Sequence, residues 1–110
     1  MSLSSHVLDG STGKPAAGIL VRWEIPRGVR WVEVAQRSTD DDGRVSDWDG
    51  HSPAPGRHRL VFQTGEYFGR RGVDTFYPEV VVVFEVTDEA AHHHVPLLLS
   101  PFAYSTYRGS

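Results

Sequence analysis

Ile19-Leu20-Val21-Arg22-Trp23-Glu24-Ile25 is the stretch on which the fold turns. Ile19, Val21, Trp23 and Ile25 occupy every second position, with Arg22 and Glu24 between them. Side chains alternate across a strand with a period of two, so this spacing predicts a half-buried strand rather than a helix. The same period recurs on both sides of it. Val32 and Val34 alternate with Trp31, Glu33 and Ala35. His58, Leu60 and Phe62 alternate with Arg59, Val61 and Gln63. Val80, Val82, Phe84 and Val86 alternate with Val81, Val83 and Glu85. Turn-forming clusters lie between the runs: Pro26-Arg27-Gly28, Asp41-Asp42-Gly43, Asp49-Gly50 and Pro53-Ala54-Pro55-Gly56. Many short strands punctuated in this way predict an all-β antiparallel sandwich or barrel. One stretch departs from the pattern. Thr64 to Gly72 reads as a single short helix, with Thr64 as its N-cap and Gly72 as its stop.

The bulk properties bound the rest. A chain of 110 residues reads as one domain over residues 1–110. A chain of this size buries roughly 60–70% of its unfolded surface, enough for a core without staples. It has no cysteine, which removes disulfides, thiol nucleophiles and cysteine-based zinc sites. Met1-Ser2-Leu3-Ser4-Ser5-His6 lacks a basic segment and a long apolar run, so no secretory leader is expected, and the cytoplasm is the expected compartment. No apolar run approaches the roughly 20 residues that span a bilayer. The net charge is −3 and the basic residues are scattered, apart from Arg70-Arg71, which argues against nucleic-acid binding.

The last nineteen residues are unusual for a chain end. His92 to Leu99 reads as one strand and Phe102 to Tyr107 as another, with a corner at Ser100-Pro101. Termini are ordinarily frayed, yet this one carries three consecutive imidazoles, an apolar run, Tyr104, Tyr107, Arg108 and Ser110. It is expected to be held inside the structure and used. Val81 and Val83 are apolar opposite Val80 and Val82, and the His92 to Leu99 strand is apolar on both faces beyond His94. Strands of that kind are covered on both sides, which predicts an oligomer.

Several residues invite chemistry. On a strand, His92 and His94 share one face and His93 points away. His6 lies in a second strand-like run, Ser5-His6-Val7-Leu8-Asp9. An imidazole titrates near ~6.5 and moves protons at neutral pH with little tuning. His6, His92 and His94 could instead supply three nitrogens to zinc, but the HExxH spacing is missing and no cysteine supports it. Arg44, in Asp42-Gly43-Arg44-Val45, is either a solvated turn residue or a group projected into a cleft, where its fork of donors would polarise a carbonyl or hold an anion. Tyr107 and Arg108 pose the same alternatives. Ser110 has no Ser-His-Asp context and no nucleophile elbow, so its hydroxyl or terminal carboxylate is read as orienting a water or a histidine. Asp9, Asp40, Asp41, Asp42 and Asp47 are read as turn and cap residues.

Two motifs at opposite ends of the chain carry a resemblance. Ser5-His6-Val7-Leu8-Asp9 with Gly13-Lys14-Pro15-Ala16-Ala17-Gly18 is similar to the opening signature of the 5-hydroxyisourate hydrolases, the transthyretin-related enzymes of purine breakdown. His94-Val95-Pro96-Leu97-Leu98-Leu99-Ser100-Pro101 and Tyr104-Ser105-Thr106-Tyr107-Arg108-Gly109-Ser110 resemble their closing signature. Phe76-Tyr77-Pro78-Glu79-Val80 and the Glu66-Tyr67-Phe68 helix also fit, and the likeness is looser between Val21 and Arg59. The final four residues separate these hydrolases from true transthyretins. The resemblance implies a transthyretin-like antiparallel β-sandwich of two four-stranded sheets with one short helix. It implies a homotetramer with sites where dimers meet, acting on 5-hydroxyisourate without metal or organic cofactor. It also implies catalytic roles for His6, Arg44, His94 and Ser110, with His6, Arg44, Tyr107 and Arg108 binding substrate. His93 stands where the family is often aromatic and should face away from the site. A bulge in the strand would bring His92 or His93 into the place of His94. The alternative is a transthyretin-like carrier without catalytic activity, for which these residues are too polar.

Overall fold

Pairing of the alternating runs builds two sheets. The computed structural model describes residues 2–110. Its strands are β1 (Ser2–Asp9), β2 (Lys14–Pro15), β3 (Leu20–Arg27), β4 (Arg30–Ser38), β5 (Arg44–Val45), β6 (Gly56–Phe62), β7 (Val80–Val86), β8 (His92–Ser100) and β9 (Ala103–Thr106), with one helix, α1 (Thr64–Arg70), between β6 and β7. One sheet runs β4-β3-β6-β7. The other runs β2-β1-β8-β9, with β5 also paired to β1. Their facing sides form one core. Trp23, Leu60, Phe62 and Val80 come from the first sheet, and Leu3, Val7, Val95, Leu97 and Leu99 from the second. Trp48, from the loop after β5, meets Trp23 edge to face at 5.7 Å and donates its indole N–H to the Leu3 carbonyl at 2.9 Å. Among the described residues no helix is long and apolar enough to cross a membrane.

The expected sandwich with one helix is present, with differences in detail. The pair β1·β8 is parallel, in register from Ser2↔His92 to Asp9↔Leu99. A tight hairpin joins only antiparallel neighbours. Here the two strands come from opposite ends of the chain, so no short turn dictates their direction. The two-residue β5 gives the second sheet a fifth strand. The alternation of β4 slips: Trp23 faces Ala35 and Glu24 faces Glu33, leaving Val34 unmatched in a bulge. Trp23 and Glu24 are in consequence both buried, and Val32 is exposed. The Glu24 carboxylate is compensated by Arg59 at 2.6 Å and Arg22 at 3.4 Å.

Thr64 is the first residue of α1 rather than its cap. Gln63 holds the cap position, and the Thr64 hydroxyl donates to the Tyr77 carbonyl at 3.1 Å. Gly72 follows the C-cap Arg71 at φ +70° and ends the helix as expected. The tail differs more. In the single chain every residue of β9 is exposed, and so are Tyr107, Arg108 and Ser110. The tail lies along the edge of β8 instead of inside, because the inner positions of that sheet are already filled.

Candidate active site

The burial pattern of β1 alternates without a break: Leu3, Ser5, Val7 and Asp9 face the core, and Ser2, Ser4, His6 and Leu8 face outward. β8 does the same through its polar half, with His93 and Val95 inward and His92 and His94 outward. The parallel register sets Ser4 beside His94 and His6 beside Pro96. His6, His92 and His94 therefore share one outward face, and the triple histidine resolves without a bulge.

Arg44 reaches that face through a turn built from its neighbours. One Asp40 carboxylate oxygen accepts the backbone N–H of Asp42 and of Arg44, each at 2.9 Å. Gly43 sits at φ +74° and presses on β1. A Cβ there would stand 2.4 Å from the Val7 carbonyl oxygen, and the Val7 N–H donates to the Gly43 carbonyl at 2.8 Å. Both the left-handed backbone and the close approach demand glycine. The turn then pairs β5 with β1, and Arg44 becomes the cross-strand neighbour of His6.

The tail closes the other side. Gly109 forms an isolated antiparallel bridge with His94, donating its N–H to the His94 carbonyl at 2.9 Å. A Cβ on Gly109 would lie 2.3 Å from His94 Cδ2, so the glycine lets the backbone pack on the imidazole. Ser110 follows directly. Tyr107 and Arg108 line a cavity of about 300 Å³ between β7 and β8, together with His93, His94 and Phe84. Inside it, His93 is only 6% exposed and its Nδ1 has no hydrogen-bond partner. The structure thus gathers His6, Arg44 and His94 on one face. It sets Tyr107 and Arg108 at an adjoining edge that shares His94.

Charge and burial tune the imidazoles. His94 is held below its ordinary value by burial first, then by His92, Arg44 and His6, all of which disfavour a second positive charge. His93 is lowered by burial and then by Arg108. His94 is therefore weighted toward its neutral form, the form that can take a proton. Among the described residues no three His, Cys, Asp or Glu side chains are grouped to hold a metal ion, so the zinc reading of His6, His92 and His94 finds no cage.

Residues 3–109 match the HIUase/Transthyretin family model. The chain belongs to that family. It is 47% identical over 109 residues to a 5-hydroxyisourate hydrolase of Salmonella dublin, covering 98% of this chain and 80% of the relative. The structure of Klebsiella pneumoniae 5-hydroxyisourate hydrolase superposes with a TM-score of 0.85 at 34% identity, each chain covered completely. Sea bream transthyretin, solved in complex with thyroxine, gives a TM-score of 0.90 at 27% identity, over 97% of this chain and 93% of that one. The transthyretin superposes at least as well as the hydrolase, so backbone shape does not divide enzyme from carrier. The side chains on the outward face must do so.

Sequence reading did not single out Ser2 and Ser4. The Ser4 hydroxyl contacts both His92 Nε2 and His94 Nδ1. The signal was the period-two run Ser2, Ser4, His6, visible only once β1 was extended back to the start of the described chain. Gly109 stands in a terminal motif of the sequence, and only the fold reveals it as the contact surface for His94.

Proposed function

We propose that this chain hydrolyses 5-hydroxyisourate in urate breakdown, cleaving the N1–C6 amide to give 2-oxo-4-hydroxy-4-carboxy-5-ureidoimidazoline. The observation that carries the reading is the convergence of His6, Arg44 and His94 on one outward face, in a chain 47% identical to a hydrolase of that name. Amide hydrolysis needs a base for the attacking water, a donor for the developing oxyanion and an acid for the leaving nitrogen. His94, neutral and half-buried, takes a proton from water as its oxygen bonds to C6. Arg44 faces the oxygen on which charge grows. As the C6–N1 bond breaks, N1 receives a proton from the imidazole pair His6 and His94. Tyr107 and Arg108 hold the substrate from the tail side. Ser110 orients the water or a histidine through its hydroxyl.

In this reading the working form is a homotetramer, with the outward face of the β1·β8 sheet closed by a second pair of protomers. Supporting it are the exposed apolar side chains Leu98, Tyr104 and Tyr107 on β8, β9 and the tail, and Val83, 53% exposed on edge strand β7. Sedimentation velocity measures the assembly directly, and a monomer with full activity would overturn this part. We assign the reaction to the cytoplasm, and recovery of the activity in the cytosolic fraction of the source cells is the check.

A carrier is the second reading, favoured by the TM-score of 0.90 to a thyroxine-bound transthyretin. Against it, the candidate face presents three histidines and an arginine to what would have to be an apolar ligand. The deciding experiment generates 5-hydroxyisourate with urate oxidase and follows its ultraviolet absorbance. Accelerated decay supports the hydrolase. Unchanged decay together with tight thyroxine binding establishes the carrier.

A further inference from the structure

Two imidazoles on the outward face are joined by one hydroxyl. Ser4 Oγ lies 2.7 Å from His94 Nδ1 and 2.9 Å from His92 Nε2, and the two rings stack 18° from parallel with centroids 6.3 Å apart. Beyond them, His92 Nδ1 contacts Ser2 Oγ. His92 is exposed, whereas Ser4 and His94 are half-buried. A hydroxyl has one proton to donate, so Ser4 donates to one imidazole and accepts from the other. The chain of contacts therefore has a single polarity at any moment, and reversing it moves one proton from end to end.

We infer that Ser4 and His92 form a proton relay that orients His94 and carries its proton out to solvent. The inference rests on the assignment of His94 to the reaction. In the starting state His94 Nδ1–H donates to Ser4, Ser4 donates to His92 Nε2, and His94 Nε2 holds the open lone pair. Once N1 has been protonated and His94 is neutral again, the proton of the new carboxylic acid arrives at His94 Nε2. The Nδ1 proton then passes to Ser4 as the Ser4 proton passes to His92 Nε2, and the His92 Nδ1 proton leaves through Ser2 or to solvent. One proton enters and one departs. Amide hydrolysis has one to export at neutral pH, because the new carboxylic acid ionises while the released ureide nitrogen is not basic. Ser4 and His92 are positioning residues in this scheme, acting through His94. The titratable and charged groups facing His94 are His92 from β8, His6 from β1 and Arg44 from β5, and Glu85 of β7 with Tyr107 and Arg108 of the tail line the adjoining cavity with it. Ser110 follows the Gly109 that packs on its ring.

The test compares Ser4→Ala, Ser4→Thr, His92→Gln and His94→Asn in the intact oligomer, each checked for fold by circular dichroism. Ser4→Ala is expected to lower kcat by about tenfold with KM little changed, less than the ~10² of a direct acid–base group. Ser4→Thr, which keeps the hydroxyl, restores the rate. In His92→Gln an imidazole whose charge opposes protonation of His94 is lost, so the acid limb of kcat/KM moves to higher pH. Its kcat also becomes dependent on the concentration of added imidazole buffer, which a purely structural defect would not produce. If His94→Asn is slow while Ser4→Ala and His92→Gln keep wild-type kcat, pH profile and buffer independence, the relay is overturned and the site reading stands. If His94→Asn itself retains full turnover, both fall.

Discussion

His93 and His94 are adjacent in sequence, yet the two faces of β8 put them to opposite uses. The inner face of β1 and β8 consumes Ser5 and Asp9 in structure and buries His93 with its Nδ1 unpartnered. Ser5 donates to the Val95 carbonyl at 2.7 Å. Asp9 accepts the Ser11 N–H and hydroxyl and the buried Tyr67 hydroxyl at 2.7 Å. Burial alone would push the Asp9 carboxyl up, but these hydrogen bonds outweigh it and hold the group below its ordinary value, while Tyr67 is pushed up to about 12 by burial and by Asp9. His58, in the other sheet, shows the same economy: its Nδ1 accepts from the Trp23 indole at 3.0 Å and its Nε2 donates to the Ala54 carbonyl at 2.7 Å. The outer face ties His92 to His94 through the Ser4 hydroxyl and leaves the His94 ring half-exposed beside His6 and Arg44. A saturated polar group stabilises, and a group with spare valence in a half-exposed position is available for chemistry.

That contrast is broken most severely from the outer side. His6→Ala or His94→Ala is expected to lower turnover of 5-hydroxyisourate by at least about 10², with a nearly unchanged thermal midpoint. Wild-type turnover in both would show that the face is only decorative. Gly109→Ala drives a methyl group into the His94 ring, and a reacting group displaced by about 1 Å loses up to ~10² in rate. Steady-state kinetics should register the loss while circular dichroism reports an intact sandwich.

The inner face should respond in stability rather than rate. Tyr67→Phe removes a hydrogen bond to a buried carboxylate and is expected to cost about 1.5–3 kcal/mol in urea unfolding. Because the Asp9 value is lowered in the folded chain, its contribution is full above the ordinary carboxylate range and is lost as pH falls through the folded value. Tyr67→Phe should flatten that acid dependence. The smallest effect is a gain. His93→Phe removes a buried, unpartnered Nδ1 but also the imidazole's hydrogen bond with the Ala91 backbone, and the gain is expected to be at most about 1 kcal/mol. His93 is also lowered in the folded state, so wild-type stability is complete above the ordinary imidazole value of 6.5 and declines as pH falls below it. The phenylalanine variant should lose part of that decline in melts taken across the range.

Much of this was legible in the chain itself. The alternation of β3, β6 and β7 exposed the strands and their inner faces, since burial on one side of a strand leaves a period of two in the residues. The β4 bulge was not legible. It arises from how Trp23 and Glu24 meet Ala35 and Glu33 across the ladder, and Val32 and Val34 read alone look like a regular strand. The parallel pairing of β1 with β8 was hidden for the same reason: the two segments are separated by nearly the whole chain, and no local turn announces their direction. Among the site residues, His6 and the Tyr107-Arg108-Gly109-Ser110 tail were evident as motifs. Ser4 was passed over because a lone serine on a strand carries no signal until its neighbours are known.

The sequence by itself determined the period, the turns and the two terminal motifs, because local sterics and one-sided burial act on residues close along the chain. It left three histidines eligible for one role and an arginine divided between solvent and cleft. Tertiary structure decided where each of them sits. The Ser4↔His94 register and the Gly109 bridge set the tail against His94, the Gly43 contact with β1 carries Arg44 to His6, and the filling of the inner face consigns His93 to the core. Each of these depends on contacts between residues far apart in the chain, and such contacts exist only once the sheets have closed.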